Sequence, residues 1–191
     1  MGYTSDINHT SDAHSGFDRA RVDVAQTSFF EGREFRTFKE LNIATSATYV
    51  IKAAVPVNLI LFGLEADIDS GFLRIGTYVT GTEGGSFSET LPILGTNNMS
   101  AGKDHRATYN GNFTVYVAKV VLTAGGTHTG GIELDVLRLK TASITAQASS
   151  VGRASSDERG VAANTYYFRL SNLSSQDAVT GVFRARWEER T

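Results

Sequence analysis

TYYFRLSN at residues 165–172 and VTGVFRARW at residues 179–187 are the two stretches that decide the fold class of this chain. In both, apolar or aromatic side chains recur at every second position along the segment. This period of two is typical of a β-strand that buries one face and exposes the other. Both stretches are therefore predicted to be strands.

The connection between these two strands is short and polar. Residues 173–178 contain the Ser, Gln and Asp side chains that favour turns. We therefore predict that the two strands form an antiparallel pair with one buried face and one face in water. The residues expected to share that core are Phe168, Leu170, Phe183 and Trp187.

Further segments of the same kind occur along the chain. They are rich in β-branched and apolar residues and are separated by Gly, Ser, Thr and Asn, which favour turns. They lie at residues 48–54, 57–64, 71–78, 112–121 and 131–139. About nine or ten short strands at this spacing predict an all-β protein, either an antiparallel β-sandwich or a jelly roll.

For three stretches, the sequence predicts the local structure less clearly. Residues 131–139 also fit helical spacing, but the preceding Gly130 and Gly131 favour a strand. The Phe spacing within residues 31–41 has some helical character. The Gly-rich residues 81–85 lack the Lys-Ser/Thr of a phosphate-binding loop and are predicted to be a hairpin connection.

The first residues differ in composition from the rest of the chain. Up to about residue 16 they are mostly polar, with Asp6 and Asn8 among them, and they offer few groups that a core could bury. Such a segment is expected to be an extended arm that a partner orders, or else a frayed end. The chain is accordingly divided into a polar N-terminal arm, residues 1–21, and a single β-sandwich domain, residues 22–191.

Composition argues against several classes of function. The chain has no Cys, which excludes a disulfide framework and thiolate chemistry. Its 18 basic and 20 acidic side chains give a net charge of -2, which argues against nucleic acid or an anionic membrane as a partner. No stretch approaches the roughly 20 apolar residues of a membrane helix. The N-terminus also lacks the basic and apolar regions of a signal peptide.

No constellation of residues predicts catalysis. The four His residues are scattered, and no nucleophile elbow or carboxylate pair stands out. Glu65, Asp67 and Asp69 alternate along one segment, and such oxygen ligands suit Ca²⁺, but a straight strand does not wrap around an ion. We expect no catalytic residue, no metal and no cofactor. Whether these three carboxylates bind an ion stays open at this point.

Phe and Arg are concentrated within residues 29–38. Four Phe residues occur in this stretch, mixed with Arg and Glu. Part of the cluster is expected in the core, and the remainder has the aromatic and Arg composition that is enriched at the centre of protein interfaces. Together with the arm, this composition predicts an interface made by Asp6, Asn8, Phe29, Phe30, Arg33 and Arg36.

Four segments resemble the small virion structural proteins of tailed bacteriophages. They are TSFFEGREFRTF at residues 27–38, TEGGSFSETLP at 82–92, TYYFRLSN at 165–172 and TGVFRARWEE at 180–189. The resemblance covers most of the chain after about residue 22. It implies a particle component, either on the capsid surface or on the tail, and it transfers no catalytic residue.

The expected function is therefore that of a non-enzymatic virion structural protein, in first place a capsid decoration or cement protein that docks through its arm and its Phe/Arg surface. The expected partners are the major capsid protein or tail proteins, and further copies of the chain in a homo-oligomer. Trimers are common among β-rich particle proteins. The expected location is the virion, after assembly in the host cytoplasm. The alternatives are a module attached to a tail fibre or tail adaptor, and a receptor-binding or carbohydrate-binding β-sandwich.

Overall fold

The computed structural model describes residues 9–11, 18–20, 32–96, 118–141 and 159–190. Within these residues the chain forms fifteen strands and no helix, so the predicted all-β class is confirmed. None of them supplies an apolar helix long enough to cross a membrane. The strands are β1 (His9–Ser11), β2 (Asp18–Ala20), β3 (Glu34–Ile43), β4 (Thr48–Val55), β5 (Leu59–Ser70), β6 (Phe72–Val79), β7 (Thr82–Gly84), β8 (Glu89–Thr90), β9 (Ile93–Gly95), β10 (Val121–Ala124), β11 (Thr127–Thr129), β12 (Ile132–Lys140), β13 (Arg159–Val161), β14 (Asn164–Asn172) and β15 (Val179–Glu189).

Two antiparallel sheets form the body of the molecule. The five-stranded sheet has the order β13-β5-β15-β3-β9, and the six-stranded sheet has the order β12-β6-β14-β4-β10-β8. Two smaller pairs, β1 with β2 and β7 with β11, are also antiparallel. The last two described strands along the chain therefore occupy inner positions, β14 in the six-stranded sheet and β15 in the five-stranded sheet.

The two large sheets pack face to face around one core. Their inward-facing apolar residues belong to a single cluster. Across the interface, the rings of Phe168 on β14 and Phe183 on β15 have their centroids 5.8 Å apart. The predicted core of Phe168, Leu170, Phe183 and Trp187 is confirmed, since all four side chains are buried in this cluster. The architecture is therefore a β-sandwich.

The predicted pairing of the last two strands is wrong. Strand β14 pairs with β4 and β6, whereas β15 pairs with β3 and β5, so the two strands lie in opposite sheets. The turn at residues 173–178 carries the chain across the sandwich instead of closing a hairpin. Their apolar faces meet across the core instead of lying side by side in one sheet. For this reason the predicted buried residues are right although the predicted pairing is not.

Other local predictions are corrected in detail. The stretch at residues 31–41 with helical character is occupied largely by strand β3. The stretch at 81–85 contains β7, which pairs with β11 and is not a simple hairpin connection. Residues 131–139 form β12, as predicted. Most of the strand predicted at 112–121 lies outside the described residues.

The predicted N-terminal arm is described only in part. Strands β1 and β2 fall within residues 1–21 and pair with each other, with His9 opposite Ala20. They form a two-stranded sheet of their own, separate from the two sheets of the sandwich. The strands of both large sheets lie within residues 22–191, the range predicted for the sandwich.

Two buried carboxylates fasten the end of β15 to distant parts of the chain. Glu189 is fully buried, and its carboxylate accepts hydrogen bonds from the backbone N–H groups of Lys119 and Val120 at 2.9–3.0 Å. The Glu188 carboxylate, also buried, accepts a hydrogen bond from Arg33 at 3.2 Å and lies 3.0 Å from Arg190. A buried polar group without a partner is costly. These contacts therefore fix the end of β15 against the residues that directly precede β10 and β3.

Replacing Phe183 by Ala is expected to lower the free energy of unfolding by about 3–5 kcal/mol, because a fully buried ring is lost and a cavity remains. Chemical denaturation followed by Trp fluorescence measures the change. Phe38→Ala is the matched control, since Phe38 is 43% exposed and its loss is expected to cost much less. Equal midpoints for the parent and for Phe183→Ala would contradict this description of the core.

Candidate functional site

A groove of about 730 Å³ lies on the outer face of the five-stranded sheet, the face turned away from the core. Strands β3, β5 and β15 form its floor, with β9 at one side. Its walls combine aromatic, aliphatic and guanidinium groups, a mixture enriched at the centre of protein interfaces. The lining residues on which the argument rests are Arg36, Phe38, Phe62, Leu94, Arg184 and Arg186.

Strand register explains why these side chains meet. Phe35 and Thr37 are buried on the inner face of β3, so Arg36 and Phe38 point outward. On β15 the same alternation sends Arg184 and Arg186 outward between buried core residues. Because β3 and β15 are antiparallel neighbours, Arg36 lies directly opposite Arg186, and Phe38 lies directly opposite Arg184. The alternation that builds the core therefore also builds the groove.

The three Arg residues of the groove have different partners. Arg184 forms an ion pair with Asp67 of β5. The Arg186 guanidinium lies over the ring of Phe62, 5.3 Å from its centroid. Within the described residues, Arg36 has neither an ion pair nor a side-chain hydrogen bond. Arg36 and Arg186 thus stand side by side on neighbouring strands, in a groove that Glu40 and Glu65 also line.

This juxtaposition has a chemical consequence. Like charges directly opposite each other on neighbouring strands are unfavourable, and an anion bound between them would relieve the repulsion. Arg offers a planar fork of donors that matches a carboxylate in a bidentate geometry. Leu94 and Phe62 flank the pair with apolar surface, which strengthens such a contact by limiting access of water. The groove can therefore bind a carboxylate that is carried on an apolar surface.

The structure separates the predicted interface residues. Arg36 lines the groove, and Phe38 from the same cluster joins it there. Arg33 does not belong to this surface, because its guanidinium donates to the Glu188 carboxylate and to the Glu189 carbonyl oxygen. It is a structural anchor within the chain, and its part in an interface stays a prediction. Asp6, Asn8, Phe29 and Phe30 lie outside the residues whose side chains are described.

The acidic alternation on β5 is present as predicted. Leu64, Ala66 and Ile68 are buried, so Glu65, Asp67 and Asp69 point to the outer face. Asp67 is taken up by Arg184. In the part of the chain that the structure describes, no three His, Asp or Glu side chains are grouped as metal ligands. These carboxylates thus contribute charge to the groove face.

A second polar feature, which sequence reasoning missed, ties strands and loops to the six-stranded sheet. In three clusters one Glu carboxylate accepts a Tyr hydroxyl and also pairs with a cation. The clusters are Tyr167–Glu83–Lys52, Tyr78–Glu133–Arg74 and Tyr49–Glu89–Lys39. They tie β7 to the six-stranded sheet, β12 to its neighbour β6 within that sheet, and β8 to β4 and to β3 of the five-stranded sheet. No local sequence pattern predicts these clusters, because the Glu of each cluster comes from a different strand than the Tyr that it binds.

The hydrogen bonds within these clusters shift the acidities of their members. The hydrogen bonds from Lys52 and Tyr167 lower the pKa of Glu83 below its usual value. Burial, followed by the hydrogen bond to Glu83, raises the pKa of Tyr167 to about 12. Both shifts favour an ionised Glu83 and a protonated Tyr167 near neutral pH. The clusters are therefore stable in that range.

His128 is enclosed beside one of these clusters. It is buried, and its ring is stacked on Tyr167 with 3.9 Å between ring centroids. Its Nε2 lies 2.6 Å from the carbonyl oxygen of Thr80. A Cβ on Gly81 would stand 2.4 Å from Nε2, so the absence of a side chain at this position admits the ring. His128 thus fills space under the loop that precedes β7.

The shifted acidity of Tyr167 leads to a prediction for alkaline pH. Its folded pKa is raised from 10 to about 12, so its contribution to stability is complete below pH 10 and is lost as the pH rises towards 12. In a titration followed by tyrosinate absorbance, we expect Tyr167→Phe to lack one of the Tyr ionisations at the high-pH, upper end. Glu83→Gln, which removes the carboxylate charge, is expected to move that ionisation to lower pH. An unchanged upper end in Tyr167→Phe would contradict the assignment.

Comparison with known proteins adds no relative to this description. The chain matches no protein-family model, no curated protein and no solved structure.

Proposed function

We propose that this chain is a non-enzymatic structural protein of a tailed-bacteriophage virion, and in first place a decoration or cement protein of the capsid. It docks through the groove on the five-stranded sheet and through its N-terminal arm. The observation that carries the proposal is the adjacent pair Arg36 and Arg186, flanked by Phe38 and Phe62 on an accessible sheet face. The protein is thus a particle component that assembles in the host cytoplasm and ends in the virion.

The order of the strands supports this proposal. Eight strands alternate between the sheets to give β3-β15-β5-β13 in one and β4-β14-β6-β12 in the other. We infer that this winding is that of a jelly roll, with β8, β9 and β10 added at the far edges. Jelly rolls are frequent among viral capsid domains. Since a fold alone does not assign a function, the groove remains the stronger support.

The chemistry of the groove favours a protein partner with carboxylates on an apolar surface. Arg and aromatic residues supply most of the binding energy at protein interfaces when water is excluded from around them. Arg36 and Arg186 supply positive charge, and Phe38 supplies an exposed ring. The major capsid protein is the first candidate for that partner. A tail protein is the alternative that uses the same surface.

A carbohydrate-binding role has less support. Such sites stack sugars on accessible aromatic rings, but Trp187 is buried in the core. The hydroxyl groups of Tyr49, Tyr78 and Tyr167 are hydrogen-bonded to Glu side chains. Trp187 and these three Tyr residues are thus engaged within the protein.

Neutralising the Arg pair provides the test of docking. We expect the double variant Arg36→Gln and Arg186→Gln to lower binding to particles at least about tenfold, because a hot-spot contact is lost. Particles from a phage that lacks this gene are mixed with purified protein, sedimented and assayed for bound chain. The control is Ser175→Glu with Gln176→Glu, which changes the net charge by the same amount in an exposed turn outside the groove.

The possible outcomes separate the alternatives. Selective loss in the Arg variant supports docking through the groove, and electron microscopy of decorated particles then distinguishes the head from the tail. Equal binding by both double variants would reject the groove as the docking surface. Failure of the parent chain to bind particles at all would reject the virion role.

The arm is tested by truncation. Deletion of residues 1–21 is expected to leave the sandwich folded, because β1 and β2 pair with each other and contribute no strand to either large sheet. Binding to particles is expected to fall. Circular dichroism checks the fold, and the sedimentation assay checks the binding. Full occupancy by the truncated chain would show that the arm has no part in docking.

A further inference from the structure

The long edge of the six-stranded sheet is formed by β12. Within the described residues this strand pairs with β6 alone. It has 9 residues, whereas the other edge strands of the large sheets, β8, β9 and β13, have only two or three each. A long edge strand presents backbone donors and acceptors that can pair with another strand. This makes β12 the main open edge of the described sheets.

The hydrogen bonds around β12 show which of its backbone groups face away from β6. The N–H of Thr141 donates to the carbonyl oxygen of Gly71 at 3.2 Å, so residue 141 faces β6. Because bonding alternates along an antiparallel strand, residues 136, 138 and 140 face the opposite way. The N–H of Val136 is bound by the Asp135 carboxylate at 2.8 Å. Among the strands that the structure describes, none pairs with the outward backbone groups of Arg138 and Lys140.

The side chains of β12 add apolar surface at the same edge. Ile132 is 62% exposed, Leu134 is 53% exposed and Val136 is 46% exposed. An irregularity between Glu133 and Asp135 displaces Leu134 from the regular alternation. Exposed apolar residues on an open edge strand are characteristic of an interface.

The charges along β12 identify the partner. Its first half carries Glu133, which also pairs with Arg74 of the same copy, and its second half carries Arg138 and Lys140. If two copies of the strand pair antiparallel, the acidic half of each lies beside the basic half of the other. A parallel arrangement would instead place like charges together, which is unfavourable. The strand is thus complementary to itself about a twofold axis.

We propose that two copies of this chain associate through antiparallel pairing of their β12 strands, which joins the two six-stranded sheets into one continuous sheet. Such an interface is isologous, with the same patch used on both copies. It would satisfy the outward groups of Arg138 and Lys140 and bury Val136. This association is independent of the proposed role in a virion, because it requires only the chain itself.

Analytical ultracentrifugation of the full chain at micromolar concentration tests the pairing. We expect a monomer–dimer equilibrium whose dissociation constant rises at least about tenfold in Val136→Lys, because a charged side chain replaces an apolar one at the interface. Val121→Lys is the matched control, since Val121 is 48% exposed on β10, away from this edge. Circular dichroism verifies that both variants fold.

Amide hydrogen exchange of the unaltered chain gives a second readout, which does not depend on any variant folding. Dimer formation is expected to slow exchange at Arg138 and Lys140 as the protein concentration rises. A chain that remains monomeric would overturn the proposal. So would a dimer that Val136→Lys and Val121→Lys weaken equally, or one that leaves exchange at Arg138 and Lys140 unchanged.

Discussion

Asn172 joins the two connections that carry the chain from one sheet to the other. The two N–H groups of its buried side-chain amide are shared among three carbonyl oxygens, those of Ile43 and Ala44, both at 3.1 Å, and of Asp177 at 2.8 Å. Its side-chain oxygen accepts the N–H of Ser174. Backbone groups buried at such a crossing cost about 1–3 kcal/mol each if they lack a partner. The β3–β4 and β14–β15 crossings are thus fixed by one side chain, and the placement of both inner strands follows from it.

The inner position of β15 also determines the surface chemistry. A strand in the middle of a sheet alternates between the core and the outer face. Phe183 and Ala185 fill the core, and Arg184 and Arg186 consequently reach the outer face beside β3. The groove needs no loop of its own, because it is the reverse side of the core strands. A rigid sheet of this kind holds its contact residues in place before a partner binds, which lowers the entropic cost of association.

Alternation along the sequence was sufficient to predict which residues of β14 and β15 are buried, because the direction of a side chain in a strand is a local property. It could not predict the partners of these strands, because a contact such as Asn172 with Ile43 lies outside any sequence window. The role of Arg33 was missed for the same reason, since Glu188 is 155 residues away in the chain. Arg36 was predicted at an interface from composition alone, and its position opposite Arg186 emerged only from the strand register.

The order of the strands along the chain has a consequence for how the protein is made. The ribosome synthesises β3, β4, β5 and β6 well before β14 and β15, which fill the gaps between them in the two sheets. Until those strands emerge, each sheet lacks the inner strand that joins its two parts, and the apolar faces of the earlier strands remain exposed. Pairing between such distant segments is slow, and exposed strand edges aggregate readily. Closure of the sandwich therefore follows translation of β15.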